Sequence, residues 1–404
     1  MKINRKLHSA VLASGAVILL LILISSTASA SITETRITTS GAADVPNIYG
    51  NKIVWQDTRS GSPNIYMYDI SNRKETRITN RGTAEEPAIY GNTIVWKDER
   101  NADIDHHNWN IYTYNISTRK ETRITYRGDA EGPAIYGNII VWQDDLQDNI
   151  YMYDLSNGKG TRITTSGEAF EPAIYGNNII WRDASNGGYD IYMYNISTRK
   201  KTEITRTGSA YNPKIYGNKI VWLDSRNGWD NWDIYMYDLS GKKETRITTN
   251  KLDSKFPVIY GNNILWQDNR SGNWNIYAYD LVTKQQIHTM DKSDQELPAI
   301  YENITVWTEH SNQKTDIYMG NISYLPVAAF SASTVSGKYP LSVKFTDKST
   351  DAYYWLWDFG NNSSSTLQSP IHKYAKAGKY TVSLKVKNAA GSNTVKKNLY
   401  ISVK

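Results

Sequence analysis

Pro46-Asn-Ile-Tyr-Gly-Asn-Lys-Ile-Val-Trp-Gln-Asp57 decides the fold, because the chain says it seven times. It returns at Pro87–Asp98, Pro133–Asp144, Pro172–Asp183, Pro213–Asp224 and Pro257–Asp268, and in degraded form at Pro298–Glu309. The tryptophans of the repeat (Trp55, Trp96, Trp142, Trp181, Trp222, Trp266 and Trp307) are separated by 41, 46, 39, 41, 44 and 41 residues. A period near 42 suits a four-stranded propeller blade.

Each unit reads as four strands. Strand A is Pro-x-Ile-Tyr; proline lacks a ladder donor and belongs at the start of an edge strand, here the one lining a central channel. A Gly-Asn pair such as Gly50-Asn51 then supplies a tight hairpin turn. Strand B, Ile53–Asp57 in the first unit, is apolar on both faces, as a sheet packed between neighbours requires. Strand C is Ile65–Tyr68, and strand D is Lys74–Thr79, whose alternating charges suit an outer edge that must not pair with other chains. The seventh unit ends after strand C, near Ile317–Met319, while a spare strand D, Glu34–Thr38, precedes the first unit. Placed outside the seventh blade, that strand completes seven blades and closes the ring. An open solenoid would leave it unexplained.

The units resemble the β-propeller repeats of TolB-like proteins. The resemblance rests on the repeated phrase followed by Asp-x-Arg-x-Gly-x-x-x-Ile-Tyr, seen at Asp57–Tyr66 and Asp268–Tyr277, and spans about residues 34–320. Such a match implies a fold and says little of function. From Tyr324 the period stops. Pro326–Phe330, Tyr339–Phe345, Trp355–Gly360, Pro370–Tyr374 and Gly378–Val386 follow in an order that resembles a polycystic-kidney-disease (PKD) domain, an immunoglobulin-like β-sandwich of extracellular proteins. The expected class is therefore all-β, with a propeller over 31–323 and a PKD domain over 324–404. The combination resembles cell-surface and surface-layer proteins of methanogenic archaea, which implies a place at the cell envelope.

Other features agree with export. Lys2, Arg5 and Lys6 precede an apolar stretch from about Val11 to Ile24, and Ala28-Ser29-Ala30 forms a small-residue cleavage site. Residues 1–30 thus read as a signal peptide cleaved after Ala30, with an uncleaved membrane anchor as the rival reading. Beyond it no apolar run reaches membrane-spanning length. The net charge of +6 includes those three cations, leaving about +3 on the mature chain, with no Lys/Arg cluster to favour nucleic acid. There is no cysteine, so stability must come from a packed core.

Variation between the units concentrates in the B–C loops. From the strand-B acid to the strand-C isoleucine the intervals are 8, 13, 6, 8, 10, 8 and 8 residues. A rigid scaffold with variable loops on one face is a common design for binding. Those loops hold Trp109, Trp229, Trp232 and Trp274, which supply apolar area and a hydrogen-bond donor for a protein or glycan ligand. Glu85, Glu86, Asp129, Glu131, Glu168 and Glu171, read as D–A connector residues, form a possible acidic channel mouth; solvated surface charge is the plainer reading. The strand-B acids are expected to organise their own loops rather than bind metal. Asn115, Asn195, Asn303, Asn321, Asn361 and Asn362 lie in glycosylation sequons. No nucleophile elbow is present, and neither a cofactor nor a metal is expected. The expected function is non-catalytic: the propeller loop face binds a cell-envelope protein or extracellular polysaccharide, with the PKD domain as spacer or second contact. The alternative is a polysaccharide-active propeller enzyme of lyase or glycosidase type.

Overall fold

The computed structural model describes residues 30–101, 108–126, 128–228, 231–249, 253–290 and 293–404. Residues 1–29, all but the last residue of the expected signal peptide, and Trp229 lie outside the described residues. Seven four-stranded antiparallel sheets stand in chain order, six of them built from consecutive strands. In the first blade these are strand A (Ala43–Tyr49), strand B (Lys52–Asp57), strand C (Asn64–Asp69) and strand D (Lys74–Arg77). The seventh contains strand A (Asp294–Tyr301), strand B (Ile304–Ser311) and strand C (Lys314–Ser323), and its outer edge is the N-terminal strand Ser31–Arg36.

That closing strand pairs along its whole length with strand C, from Ser31 opposite Ser323 to Arg36 opposite Tyr318. Ile32 is buried beside Trp307 and Ile322. Thr38 repeats in blade seven the role Thr79 has in blade one. In blade one the Ile65 N–H donates to Thr79 Oγ1 at 2.9 Å, and in blade seven the Ile317 N–H donates to Thr38 Oγ1 at 2.9 Å. Arg36 pairs with Asp316 at 2.6 Å. The first and last strands are thereby held across 280 residues of sequence.

The blades pack through the apolar faces of strands B and C. Trp55, Trp96, Trp181, Trp222, Trp266 and Trp307 are wholly buried, each between its own strand C and the next or preceding blade. Burial of a side chain this size makes truncation to alanine cost about 3–5 kcal/mol. The indole N–H also has an acceptor on its own strand: Trp96, Trp181, Trp222 and Trp266 donate to the aspartate two residues on at 2.9–3.0 Å.

Strand A carries a feature the repeat alone does not reveal. In every blade its register against strand B slips just before the proline, as between Asp44 and Asn47. The residue before each proline adopts a left-handed conformation: φ is 51° at Val45, 52° at Glu86, 54° at Glu171, 48° at Asn212, 49° at Phe256 and 54° at Leu297, with Gly132 completing the set. This costs roughly 1–2 kcal/mol per non-glycine residue. The Val45 N–H donates to its own neighbour Asp44 at 2.8 Å, whereas in three other blades the bulge N–H reaches a glutamine of the preceding blade. The Glu86, Glu171 and Leu297 N–H groups donate to Gln56, Gln143 and Gln267 at 2.9–3.1 Å.

Residues 324–404 form a sandwich of a three-stranded and a five-stranded sheet. Its core is Trp357, Phe345, Phe359, Tyr374 and the aliphatic residues around them. The propeller meets it at blade six: Gln285 exchanges hydrogen bonds with the main chain of Leu325 at 2.9 and 3.1 Å. Among the described residues, no helix is long and apolar enough to cross a membrane.

Candidate functional site

Strand B runs away from the A–B turn, so its C-terminal aspartate, the B–C loop and the strand-A bulge all meet at one end of the ring. At the other end, Tyr49, Tyr90, Tyr136, Tyr175, Tyr216, Tyr260 and Tyr301 form a closed circle. Each ring contacts both neighbours at centroid distances of 4.4–4.9 Å. Burial, and then the neighbouring phenols, push the Tyr49 hydroxyl up to about 12. Between this circle and the bulges lies a cavity of about 640 Å³, walled by Ala134, Ala173, Val258 and Ala299 with the prolines and isoleucines of strand A. Its polar lining consists of Asn47, Glu86, Glu171, Asn212 and Lys214.

The strand-B acids organise their own loops, as expected. In four blades an arginine two residues on folds back onto the aspartate at 2.5 Å: Arg59 on Asp57, Arg100 on Asp98, Arg226 on Asp224 and Arg270 on Asp268. The same guanidinium groups stack on the strand-C tyrosines Tyr66, Tyr112, Tyr235 and Tyr277 at 4.1–4.4 Å. Burial alone would raise these carboxyls, but the arginine, indole and main-chain donors outweigh it and hold all four below their ordinary range. Blade three differs. Leu146 stands where the arginine would, Asp144 among the described residues accepts from main-chain N–H groups of Leu146, Gln147 and Asp129, and burial pushes its carboxyl up.

The loop tryptophans fall at one structural position. Trp109, Trp232 and Trp274 each stand two residues before the strand-C isoleucine, and Tyr189 occupies the same position in blade four. Their carbonyls accept the main-chain N–H of the next blade's strand A at 2.8–3.1 Å, so the loops are stapled to the scaffold. The side chains are half-buried. Trp109 lies 4.6 Å from Lys97, Trp274 lies 5.1 Å from Lys255, and Trp232 packs edge-on against Tyr211 at 5.0 Å. Blades four and five extend this into a shelf: the Arg182 guanidinium sits 4.4–5.1 Å from Phe170, Tyr189 and Tyr211, with Glu171 3.4 Å from its Nε. Phe170, Tyr189, Tyr211 and Arg182 were not legible as site residues, since each occupies a repeat position filled by something else elsewhere.

The acidic mouth needs a correction. Glu85, Glu86, Glu131 and Glu171 are not in connectors but within strand A, at or beside the bulges; only Asp129 and Glu168 lie in the D–A connections. Nor are they simply solvated. Lys97, itself largely buried, reaches Glu131 at 2.7 Å, Glu86 at 2.9 Å and Glu85 at 3.8 Å. Burial pushes Glu85 and Glu131 up against the pull of Lys97. Two rim carboxylates are instead structural, because Glu86 accepts the Gly132 N–H at 3.1 Å and Glu171 accepts the Asn212 N–H at 2.7 Å. Asp129 accepts the Trp109 N–H at 3.2 Å. Glu168 gives its carbonyl to Ala184 at 2.9 Å. Among the described residues, no three His, Asp or Glu side chains converge to hold a metal ion.

The sequon asparagines lie away from this face. Asn115 and Asn195 end strand C and accept the N–H of Thr118 and Thr198 at 2.9 Å. Asn303, Asn321 and Asn362 are exposed, and Asn361 contacts His372 at 3.1 Å.

Comparison with known proteins agrees with this architecture. Residues 328–401 match the model of the PKD domain family. A microbial collagenase of Vibrio alginolyticus is 38% identical over 71 residues, 16% of this chain and only 9% of the collagenase. An oligogalacturonate lyase in complex with manganese superposes with a TM-score of 0.57 at 12% identity, over 74% of this chain and 95% of its own. The β-propeller domain of the Trilobed protease from Pyrococcus furiosus, described as having an open velcro topology, also gives 0.57 at 12% identity, over 70% and 94%. TolB from Acinetobacter baumannii is more distant, with a TM-score of 0.43 at 15% identity over 69% and 78%. At these identities the likeness concerns fold alone. The chain is a seven-bladed β-propeller, closed by its own N-terminal strand, followed by a PKD domain.

Proposed function

We propose that this is an exported, surface-associated or secreted protein that acts by binding, without catalysis, a cell-envelope protein or an extracellular polysaccharide. The loop face of the propeller is the recognition surface, and the PKD domain is a spacer or second contact. One observation carries the reading: four of the seven blades present a half-buried aromatic side chain at the same loop position, on main chain stapled to a rigid ring. Preorganised aromatic rings interleaved with arginine and amide groups suit the flat faces and hydroxyl edges of sugars, and also the anchor residues of protein interfaces. Co-sedimentation with envelopes isolated from the source organism tests this. Saturable binding that is lost on combined Trp109→Ala, Trp232→Ala and Trp274→Ala supports it; binding unaffected by all three removes the face.

A second reading is a polysaccharide-active enzyme. It draws on Glu131, whose carboxyl is pushed up by burial at the channel rim as a general acid requires. Product release from an acidic polysaccharide, abolished by Glu131→Gln, would establish it.

A further inference from the structure

The cavity behind the bulges is lined by one cation, Lys214, and by two carboxylates, Glu86 and Glu171, that are held by other donors. The strand-A residue after the proline is Asn47, Ala88, Ala134, Ala173, Lys214, Val258 or Ala299, so one blade in seven places an amine where the others place small or apolar groups. Among the described residues Lys214 makes no hydrogen bond or ion pair. Burial pushes its ammonium below the ordinary lysine range, opposed by the charge of Glu171. Glu171 is already engaged, by the Asn212 N–H at 2.7 Å and by Arg182. Glu86, the other rim carboxylate in the lining, is held by Lys97 at 2.9 Å. Both rim acids are thus bound by other donors, and neither forms an ion pair with the amine.

The same sector lacks an acceptor for its bulge. The Glu86, Glu171 and Leu297 N–H groups donate to glutamines of the preceding blade. For Phe256 the corresponding residue is Leu223, which has no acceptor to offer. Phe256 and Lys214 line the same cavity, on adjacent blades. Lys214 and Phe256, whose N–H lacks that acceptor, therefore line together a pocket whose remaining wall is largely alanine, valine, proline and isoleucine.

We propose that this channel binds the carboxylate of a ligand whose remaining body is apolar or neutral, with Lys214 and the Phe256 N–H as its donors. A charged amine in an apolar cavity is costly until an anion joins it, which makes the site selective for charge rather than shape alone. The cavity, about 640 Å³, has room for a sugar acid or a chain end of two or three residues. The site is separate from the tryptophan shelf, and that shelf can fail its own test without affecting this one.

The test is a chemical-shift titration of the protein with hexanoate and with its neutral counterpart hexanamide. Hexanoate is expected to bind at least about tenfold more tightly, the usual worth of a hydrogen-bonded charge. Lys214→Met should reduce hexanoate to the level of the amide. Leu223→Gln, which gives Phe256 the acceptor that other blades have, should weaken hexanoate severalfold with Lys214 intact. Galacturonate against galactose, and trialanine against its C-terminal amide, then show whether a sugar acid or a peptide end supplies the carboxylate. The proposal is overturned if hexanoate does not bind, if it binds no better than hexanamide, or if Lys214→Met leaves its affinity unchanged. Melting curves of both variants confirm the fold; methionine is unbranched and of similar length, so the ring should remain intact.

Discussion

Replacing Gly320 by alanine probes the ring closure at its tightest point. In the other six blades this strand-C position is a tyrosine: Tyr68, Tyr114, Tyr153, Tyr194, Tyr237 or Tyr279. In blade seven it is Gly320, opposite Glu34 of the closing strand. A Cβ there would overlap Cγ2 of Ile32 and come within 2.9 and 3.1 Å of the Trp307 ring. Trp307 is fully buried, so neither neighbour has free space to retreat into. Overpacking of this kind costs about 1–3 kcal/mol, and for a chain of this size each kcal/mol moves Tm by roughly 2–4 °C. Gly320→Ala should therefore lower Tm by roughly 2–12 °C. Deleting residues 31–36 should itself cost about 3 kcal/mol, from the burial of Ile32 and the Arg36–Asp316 contact. In that deleted background the worst overlap is gone and Trp307 has a free flank, so Gly320→Ala should cost less than half as much. Thermal unfolding of the four proteins in the cycle measures the coupling. Equal decrements in both backgrounds, or an unchanged Tm after the deletion, would refute a closing strand packed on Gly320.

Three further outcomes follow from the same geometry. Asp224→Asn leaves Arg226 and the Trp222 indole without their carboxylate and should cost about 2–4 kcal/mol by denaturant titration, whereas Asp144→Asn, with no arginine two residues on to strand, should cost less than about 1 kcal/mol. The acid limb of stability has a definite sign. Asp57, Asp98, Asp224 and Asp268 have folded-state carboxyls below their unfolded value, so their contribution is complete above pH about 4 and is lost as pH falls further; Asp144, Glu85 and Glu131, shifted upward, act in the opposite sense, and Tm should stay nearly level from neutrality to about pH 4.5 before dropping. Spectrophotometric titration at alkaline pH should show a class of tyrosines, including Tyr49 and Tyr136, ionising near pH 12 rather than 10, with stability retained below pH 10 and lost as pH rises through that second step.

Much of the fold was readable because repetition turns one observation into seven. Trp55 and its equivalents set the blade period, the Gly-Asn pair marks the A–B turn, and the lone strand Glu34–Thr38 points to a blade that lacks one. These are local and periodic properties, and Thr38 in place of Thr79 shows that even the closure obeyed the repeat. The aromatic loop position was half legible: Trp109, Trp232 and Trp274 were conspicuous as residues, but unequal loop lengths hid that all three align with Tyr189 two residues before strand C. Tertiary structure alone decided the rest. Val45, Glu86, Phe256 and Leu297 are not types that favour a left-handed backbone, so no composition announces the bulges; the register of strand A against strand B sets them, and for Glu86 and Leu297 a glutamine of the preceding blade receives the N–H. The closed circle of tyrosines and the isolation of Lys214 have the same origin. A side chain's neighbours across a channel come from blades about 40 residues apart, and only closing the ring determines which charges meet and which single amine is left unanswered.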